Sequence, residues 1–330
     1  MARRLTVEEY LEGVLNGDRV ILSRAITLCE SNNLQDRALS RELLRQCLPH
    51  AGKSIRVGIT GVPGVGKSTF IDAFGMELIS LGYPVAVLAV DPSSSKTKGS
   101  ILGDKTRMNR LAHAPQAYIR PSPSSGTLGG VASKTKETMI LCEAAGFQWI
   151  LVETVGVGQS EIAVRHLVDV FLLLMLPNAG DDLQGIKKGI MEMADLLVIN
   201  KADGESMEMA NRAKALYSQA LRLFPLSESG IRPQVLTCSA LQSRGIGEVV
   251  ATMKAFQQQS QRNGSWTNQR LQQEVHWFES ALEGQMKEMM FDKEGMRTEY
   301  AKQKAAVEAG ETLPLEAAKA VISFWVSSIS

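Results

Sequence analysis

Between positions 61 and 69 the chain reads Gly61-Val62-Pro63-Gly64-Val65-Gly66-Lys67-Ser68-Thr69, directly after the apolar run Ile55 to Thr60. These residue types, so spaced, suit a polyphosphate. The glycines let the backbone curl tightly enough to aim N–H groups at phosphate oxygens. Lys67 can reach the β- and γ-phosphates of a nucleotide, and the Ser68 hydroxyl is a natural ligand for the accompanying Mg2+. A helix starting near Gly66 would turn its positive end towards the same anions. All fixed positions of Gly-x-x-x-x-Gly-Lys-Ser are filled, with the strand before and the helix after that the motif requires. The stretch predicts a P-loop.

Other residues able to take part in phosphate chemistry follow apolar runs further along. Asp91 comes after Pro84–Val90 and opens a polar interval that reaches Lys105. Polar intervals of this length tend to carry function. Asp91 and Asp104 are candidate Mg2+ partners, directly or through water, with plain turn aspartates as the alternative. Glu153-Thr154-Val155-Gly156 follows Trp149–Val152. Glu153 can enter the Mg2+ shell or orient the attacking water, and the Gly156 amide can contact the γ-phosphate. The stretch after it, Val157 to Glu161, then becomes a segment able to rearrange when that phosphate leaves. In Pro177–Gly189, Lys187 or Lys188 either offers positive charge to a phosphate or belongs to a solvated helix start.

Asn200-Lys201-Ala202-Asp203 points to a particular base. An aspartate carboxylate accepts two hydrogen bonds from guanine N1–H and the 2-amino group, a pair that adenine lacks. Leaving that carboxylate unpaired against the wrong base would cost several kcal/mol. Asn200 and Lys201 would brace the loop and lie against the base, and backbone amides of Ser239-Ala240-Leu241 suit the guanine carbonyl. The predicted nucleotide is GTP rather than ATP.

Positioning these residues requires an alternation of strands and helices. Apolar runs at Ile55–Thr60, Pro84–Val90, Ala117–Ile119, Trp149–Val152, Val170–Leu176, Leu196–Ile199 and Gln234–Thr237 read as strands separated by helices. That order predicts an α/β domain with a mainly parallel sheet covered on both faces, its ligands beyond the carboxyl ends of the strands. Residues 1–52 read as a helical extension, with one helix from Thr6 through Leu28 and another over Gln35–Cys47. Residues 53–256 form the nucleotide domain. Gln257–Ser265 reads as a polar connector into a helical arm over 257–330, where Leu271, Val275, Phe278, Leu282 and Met286 recur at helical spacing. An apolar stripe of that kind needs a cover, and a symmetric dimer supplies one.

Composition narrows the function classes. The 330 residues carry 36 basic and 35 acidic side chains, a net charge of +1 that gives no reason to expect nucleic acid or anionic lipid. Four scattered cysteines without a Cys-x-x-Cys pair suit a reducing compartment. No apolar run approaches the roughly 20 residues needed to span a bilayer. These features predict a cytoplasmic protein with no nucleic-acid or membrane partner.

The blocks Gly61–Thr69, Asp91-Pro92-Ser93-Ser94, Ser100–Met108, Ile119–Pro123, Glu153–Ser160, Pro177–Gly189 and Asn200–Asp203 together resemble the MeaB/ArgK GTPases. The likeness covers roughly residues 50–250. It implies a GTPase chaperone for assembly and protection of adenosylcobalamin-dependent methylmalonyl-CoA mutase, homodimeric through its C-terminal helices and slow to hydrolyse GTP until the mutase binds. Its switch segments would correspond to about 92–108, 153–167 and 177–188. No glutamine or arginine stands out as the group that completes hydrolysis, and Lys187 is a speculative internal contributor. Two other readings remain at this point: a metal-insertion GTPase, and a nucleotide-dependent kinase linked to lysine/arginine/ornithine transport. The isolated cysteines and His50, His113, His166 and His276 give the first no cluster in sequence, and Asp203 argues against ATP in the second.

Overall fold

The computed structural model describes residues 4–31, 33–90, 108–120, 128–154, 160–177, 188–226 and 229–328. The chain divides into two compact units, 1–273 and 274–330.

The first unit opens with helices α1 (Val7–Leu15), α2 (Arg19–Glu30) and α3 (Leu34–Cys47). Strand β1 (Ile55–Gly61) leads into α4 (Lys67–Ser80), followed by β2 (Val85–Val90), α5 (Asn109–His113), β3 (Ala117–Arg120) and α6 (Leu128–Ala144). Next come β4 (Trp149–Thr154), α7 (Ser160–Arg165), β5 (Val170–Met175), α8 (Lys188–Met193) and β6 (Leu196–Ile199). The series ends with α9 (Ser206–Leu221), β7 (Gln234–Thr237), α10 (Ile246–Arg262) and α11 (Ser265–Phe291), and the unit boundary falls within α11. The second unit continues with α12 (Met296–Glu308) and α13 (Pro314–Ser327), where Phe291 and Tyr300 meet edge to face.

All seven strands are parallel, in the order β3-β2-β4-β1-β5-β6-β7. The expected α/β class and all seven strands are present. They were readable because strands covered on both faces are apolar almost throughout: β1, β4, β5 and β6 are buried at every position. Phe70 and Phe74 of α4 stack against each other, and Phe74 meets Trp149 of β4 edge to face, so the helix after the P-loop is locked to the sheet.

Register sets the site. Ile59 lies opposite Glu153, Gly61 opposite Leu174, Leu174 opposite Val198, and Val198 opposite Leu236. The carboxyl ends of β1, β4, β6 and β7 therefore deliver the P-loop, Glu153, the Asn200 loop and the Ser239 turn to one edge. Glu153 is the fifth residue of β4 rather than the first residue after it, because β4 extends two residues beyond Val152.

Two helix boundaries differ from expectation. The predicted helix from Thr6 to Leu28 is broken into α1 and α2. Gly17 adopts a left-handed φ of 72° and the Asp18 carboxylate caps Val20 and Ile21, so a new helix starts there. The Thr6–Glu9 pair forms the capping box of α1. The connector expected over Gln257–Ser265 is instead mostly helix. Its glutamines continue α10 as far as Arg262, Ser260 returns its hydroxyl to the Phe256 carbonyl, and the chain turns only at Asn263-Gly264. Polarity alone did not end that helix, since glutamine is a good helix former.

Candidate functional site

The phosphate loop owes its shape to glycines in conformations closed to other residues. Gly61, Gly64 and Gly66 have φ of 151°, 82° and 93°. A Cβ on Gly61 would lie 2.5 Å from the Leu174 carbonyl oxygen, and one on Gly66 would lie 2.9 Å from Asn200 Nδ2. Val65 is fully buried and pins the loop to the core, while Pro63, Gly64 and Thr69 face outwards and Val62 is half-buried. The N-terminus of α4 begins at Lys67 with Gly66 as its cap and no side-chain capping bond, which leaves its N–H groups for an anion.

Lys67 Nζ donates to the Gly61 carbonyl at 2.8 Å, folding the ammonium back across the loop. Burial pushes the Lys67 pKa down, and the negative charges of Glu153 and Glu161 oppose that shift. Ser68 Oγ donates to Glu153 Oε1 at 3.2 Å, so two of the four expected Mg2+ ligands are adjacent. Both are hard oxygen donors, the chemistry that Mg2+ requires. Behind them, Thr154 Oγ1 donates to Thr60 Oγ1 at 2.9 Å and ties β4 to β1 just below the loop.

The expected base loop is joined to the phosphate loop through one side chain. Asn200, 2% exposed, donates from Nδ2 to the Val65 carbonyl at 2.9 Å, and its Oδ1 accepts from the Ala240 N–H at 3.1 Å. A single amide thus holds the P-loop, the end of β6 and the turn after β7. Lys201, at a left-handed φ of 60°, reaches back and donates to the Gly64 carbonyl at 2.8 Å. The Ser239 hydroxyl donates to the Asp203 carboxylate and accepts from the Gln242 N–H at 3.2 Å. Ser239 and Arg244 exchange backbone hydrogen bonds and the Arg244 guanidinium donates to the Ala202 carbonyl, closing the turn. Ala240 is buried, and Leu241 is 82% exposed beside it.

The structure therefore brings together Gly61 through Thr69, Glu153, Asn200, Lys201, Asp203, Ser239, Ala240 and Leu241. Asp91, Asp104, Gly156 and Lys187 lie outside the described residues, as do most of the three expected switch segments. Glu161 was expected only as the end of a rearranging segment, with no charge role of its own, yet it is 1% exposed and close enough to act on the Lys67 charge. Its signal would have been a carboxylate in the first turn of a helix packed against β1 and β4. Asp72 and Arg110 were also missed; their pairing spans 38 positions and leaves no local trace.

The four cysteines are free and buried. Burial pushes Cys47 up to about 11 and Cys238, with help from the Asp203 charge, up to about 12, and it raises Cys29 and Cys142 as well. Thiols so placed resist forming the thiolates that soft metals take.

Comparison with known proteins converges on one family. The family model described as "Methylmalonyl Co-A mutase-associated GTPase MeaB" matches residues 22–295. A Mycobacterium tuberculosis protein named "Probable GTPase Rv1496" is 50% identical over 317 residues, spanning 96% of this chain and 94% of that protein. "GTPase ArgK" of Escherichia coli is 46% identical over 314 residues, 95% of each chain. A solved structure described as "Crystal structure of LAO/AO transport system kinase" superposes with a TM-score of 0.76 at 38% identity, covering 98% of this chain and 99% of that one. With a P-loop at the edge of a parallel sheet, an aspartate loop tied to it, and relatives named as GTPases over nearly its whole length, the chain belongs to the methylmalonyl-CoA mutase-associated GTPase family MeaB.

Proposed function

We propose that the protein binds GTP with Mg2+, hydrolyses it, and uses the change of nucleotide state to assist assembly and protection of adenosylcobalamin-dependent methylmalonyl-CoA mutase. The observation that carries the nucleotide half is the Asn200 amide, which joins the phosphate loop to the loop bearing Asp203. The mutase half rests on the family's description.

In this reading the backbone N–H groups of Gly61 through Thr69 take the phosphates. Lys67 leaves the Gly61 carbonyl for the β- and γ-oxygens. Ser68 and Glu153 hold Mg2+, with Asp91 and Asp104 completing its shell directly or through water. The ion, when bound, neutralises charge that builds on the phosphates. Glu153 also orients the attacking water, the Gly156 amide meets the γ-phosphate, and Lys187 adds positive charge to the transition state. Asp203 accepts the two guanine donors, Lys201 lies against the base, and the amides of Ser239, Ala240 and Leu241 take its carbonyl. Turnover is slow alone and accelerates when the mutase supplies what the site lacks, an effect worth about 10³–10⁵ where a partner contributes charge.

The protein acts in the cytoplasm as a homodimer through its C-terminal helices. Residues 1–52 serve as a helical extension, 53–256 as the nucleotide domain and 257–330 as the dimerisation arm.

The test is hydrolysis by purified protein with and without methylmalonyl-CoA mutase, using ATP in parallel. Stimulated GTP turnover with ATP inert is the expected result. GTP turnover indifferent to the mutase would remove the partner and keep the GTPase. Preferred ATP turnover would favour a kinase, the activity in the name of the solved structure that superposes on this chain.

A further inference from the structure

Among the described residues, the non-glycine positions at left-handed φ are Lys201 at 60° and Ser243 at 53°. Both lie in the loops assigned above to the base. Non-glycine residues persist there only where the surroundings hold them, and such strain gathers at ligand sites. Lys201 is held by its own bond to the Gly64 carbonyl. Ser243 is approached from outside its loop by Arg110.

Arg110 belongs to a contact built between α4 and α5. Asp72, one turn beyond Ser68 on α4 and 7% exposed, accepts from Arg110 Nε at 2.7 Å and from the Leu111 N–H at 2.9 Å. The two helices touch where α4 carries Gly75, since a Cβ there would lie 2.7 Å from both Leu111 methyl carbons. The guanidinium is thereby aimed past α4, and its Nη1 stands 3.5 Å from Ser243 Oγ. That distance is long for a strong bond, but the arm is fixed at its root by a buried carboxylate. The turn from Ser239 to Gly245 thus has two braces to the phosphate-binding helix and loop. Asn200 braces it from within, through the Ala240 N–H and the Val65 carbonyl. Asp72 and Arg110 brace it from without.

We propose that Arg110 is a positioning residue for base recognition, steadying the strained Ser243 turn against the P-loop helix so that the Ser239–Leu241 amides stay set for guanine. This rests on the guanine-nucleotide reading given above. The chemistry is that of an outer brace: Arg110 orients the turn and gives the site slow release of its nucleotide.

The experiment follows release of a fluorescent GDP from the wild type, Arg110→Ala, Arg110→Lys, Ser243→Ala and the Arg110→Ala/Ser243→Ala double variant, with thermal unfolding alongside. Loss of one such bond is expected to speed release about two- to tenfold in Arg110→Ala. The double variant is expected to be no faster than Arg110→Ala alone, because both changes remove the same contact. Arg110→Lys, which can pair with Asp72 but has no second arm, is expected to keep the wild-type unfolding temperature and still release GDP faster. A lower unfolding temperature in Arg110→Ala with release unchanged would reduce the residue to a structural ion pair and overturn the proposal. Additive effects in the double variant would overturn it too. A wild type that takes up no GDP would instead bring down the nucleotide reading on which it stands.

Discussion

The Lys67 ammonium donates to the Gly61 carbonyl, half-buried, in a place where burial makes its charge costly and, among the described residues, Glu153 and Glu161 support it. An incoming polyphosphate would supply the missing negative charge, so the loop is arranged to reward an anion. Asp203 is arranged differently: its carboxylate already accepts the Ser239 hydroxyl and stays half-buried, with acceptor capacity left for two donors. Replacing Asp203 with Asn should therefore change the base preferred rather than abolish binding. The amide presents one donor where the carboxylate had only acceptors, matching xanthine, whose 2-position is a carbonyl. Guanine affinity is expected to fall by about 10²-fold or more, with xanthine nucleotide binding gained. Competition between GDP and XDP for the variant measures this, and unchanged guanine preference would remove Asp203 from the base site. These residues were legible because the P-loop and the Asn200–Asp203 run are local patterns with a chemical reason for each position. The bond from Asn200 to the Val65 carbonyl was not, since it joins residues 135 apart.

At the scale of elements, a polar layer at the other end of the sheet holds β1 in place. Arg56, 4% exposed at the start of β1, donates from Nε and Nη2 to Glu143 at the end of α6, at 2.8 and 3.1 Å. The Ser54 hydroxyl and the Gly52 N–H complete the carboxylate. Alongside, Asp169 accepts from the Arg56 N–H and from two nitrogens of Arg270 at the start of α11. Every partner is polar and satisfied, the condition under which a buried ion pair is tolerated. None of this was legible in the sequence. Apolar periodicity reveals strands, but a charged residue at a strand's second position looks solvated until its partner, 87 residues away, is known. Burial by itself would raise the Glu143 pKa, and the Arg56 hydrogen bond and charge, with Ser54 and Gly52, outweigh it and hold the carboxyl below the ordinary 4.5. A carboxyl lowered in the folded state contributes stability that is present above pH 4.5 and is lost as pH falls through its folded value. Glu143→Gln leaves the Arg56 charge buried without its counterion, so it should cost about 3–5 kcal/mol at pH 7. Asp195 runs the other way, because burial raises its carboxyl despite Arg165 and the Phe171 N–H, so absolute acid curves mix the two. The difference between wild type and Glu143→Gln, from urea unfolding at a series of pH values, cancels Asp195. That difference should be flat above pH 5 and shrink below 4.5. A difference that grows in acid would show that the pair does not hold Glu143 ionised.

For the whole molecule, the question is what covers α11. Leu271, Val275, Phe278, Leu282, Met286 and Met289 fall at intervals of three and four and are all exposed, Phe278 by 64%. The periodicity was readable in advance because it depends only on 3.6 residues per turn. The need for a cover was readable with it, whereas the identity of the cover depends on surfaces that one chain's sequence does not contain. Exposed apolar stripes of this kind are typical of surfaces that bind a partner. On the homodimer proposed above, a second copy would cover it, since in a two-fold arrangement each side chain works twice. Burying a side chain of this kind is worth about 1.5–3 kcal/mol. Phe278→Asp with Leu282→Asp removes two such residues per protomer and sets four carboxylates into the shared face. The full-length double variant is expected to sediment as a monomer at concentrations where the wild type is a dimer. Its GDP binding should be unchanged, because no residue of the nucleotide site lies on α11. A variant that stays dimeric would move the interface elsewhere, and a wild type that sediments as a monomer would leave this face for the mutase to cover.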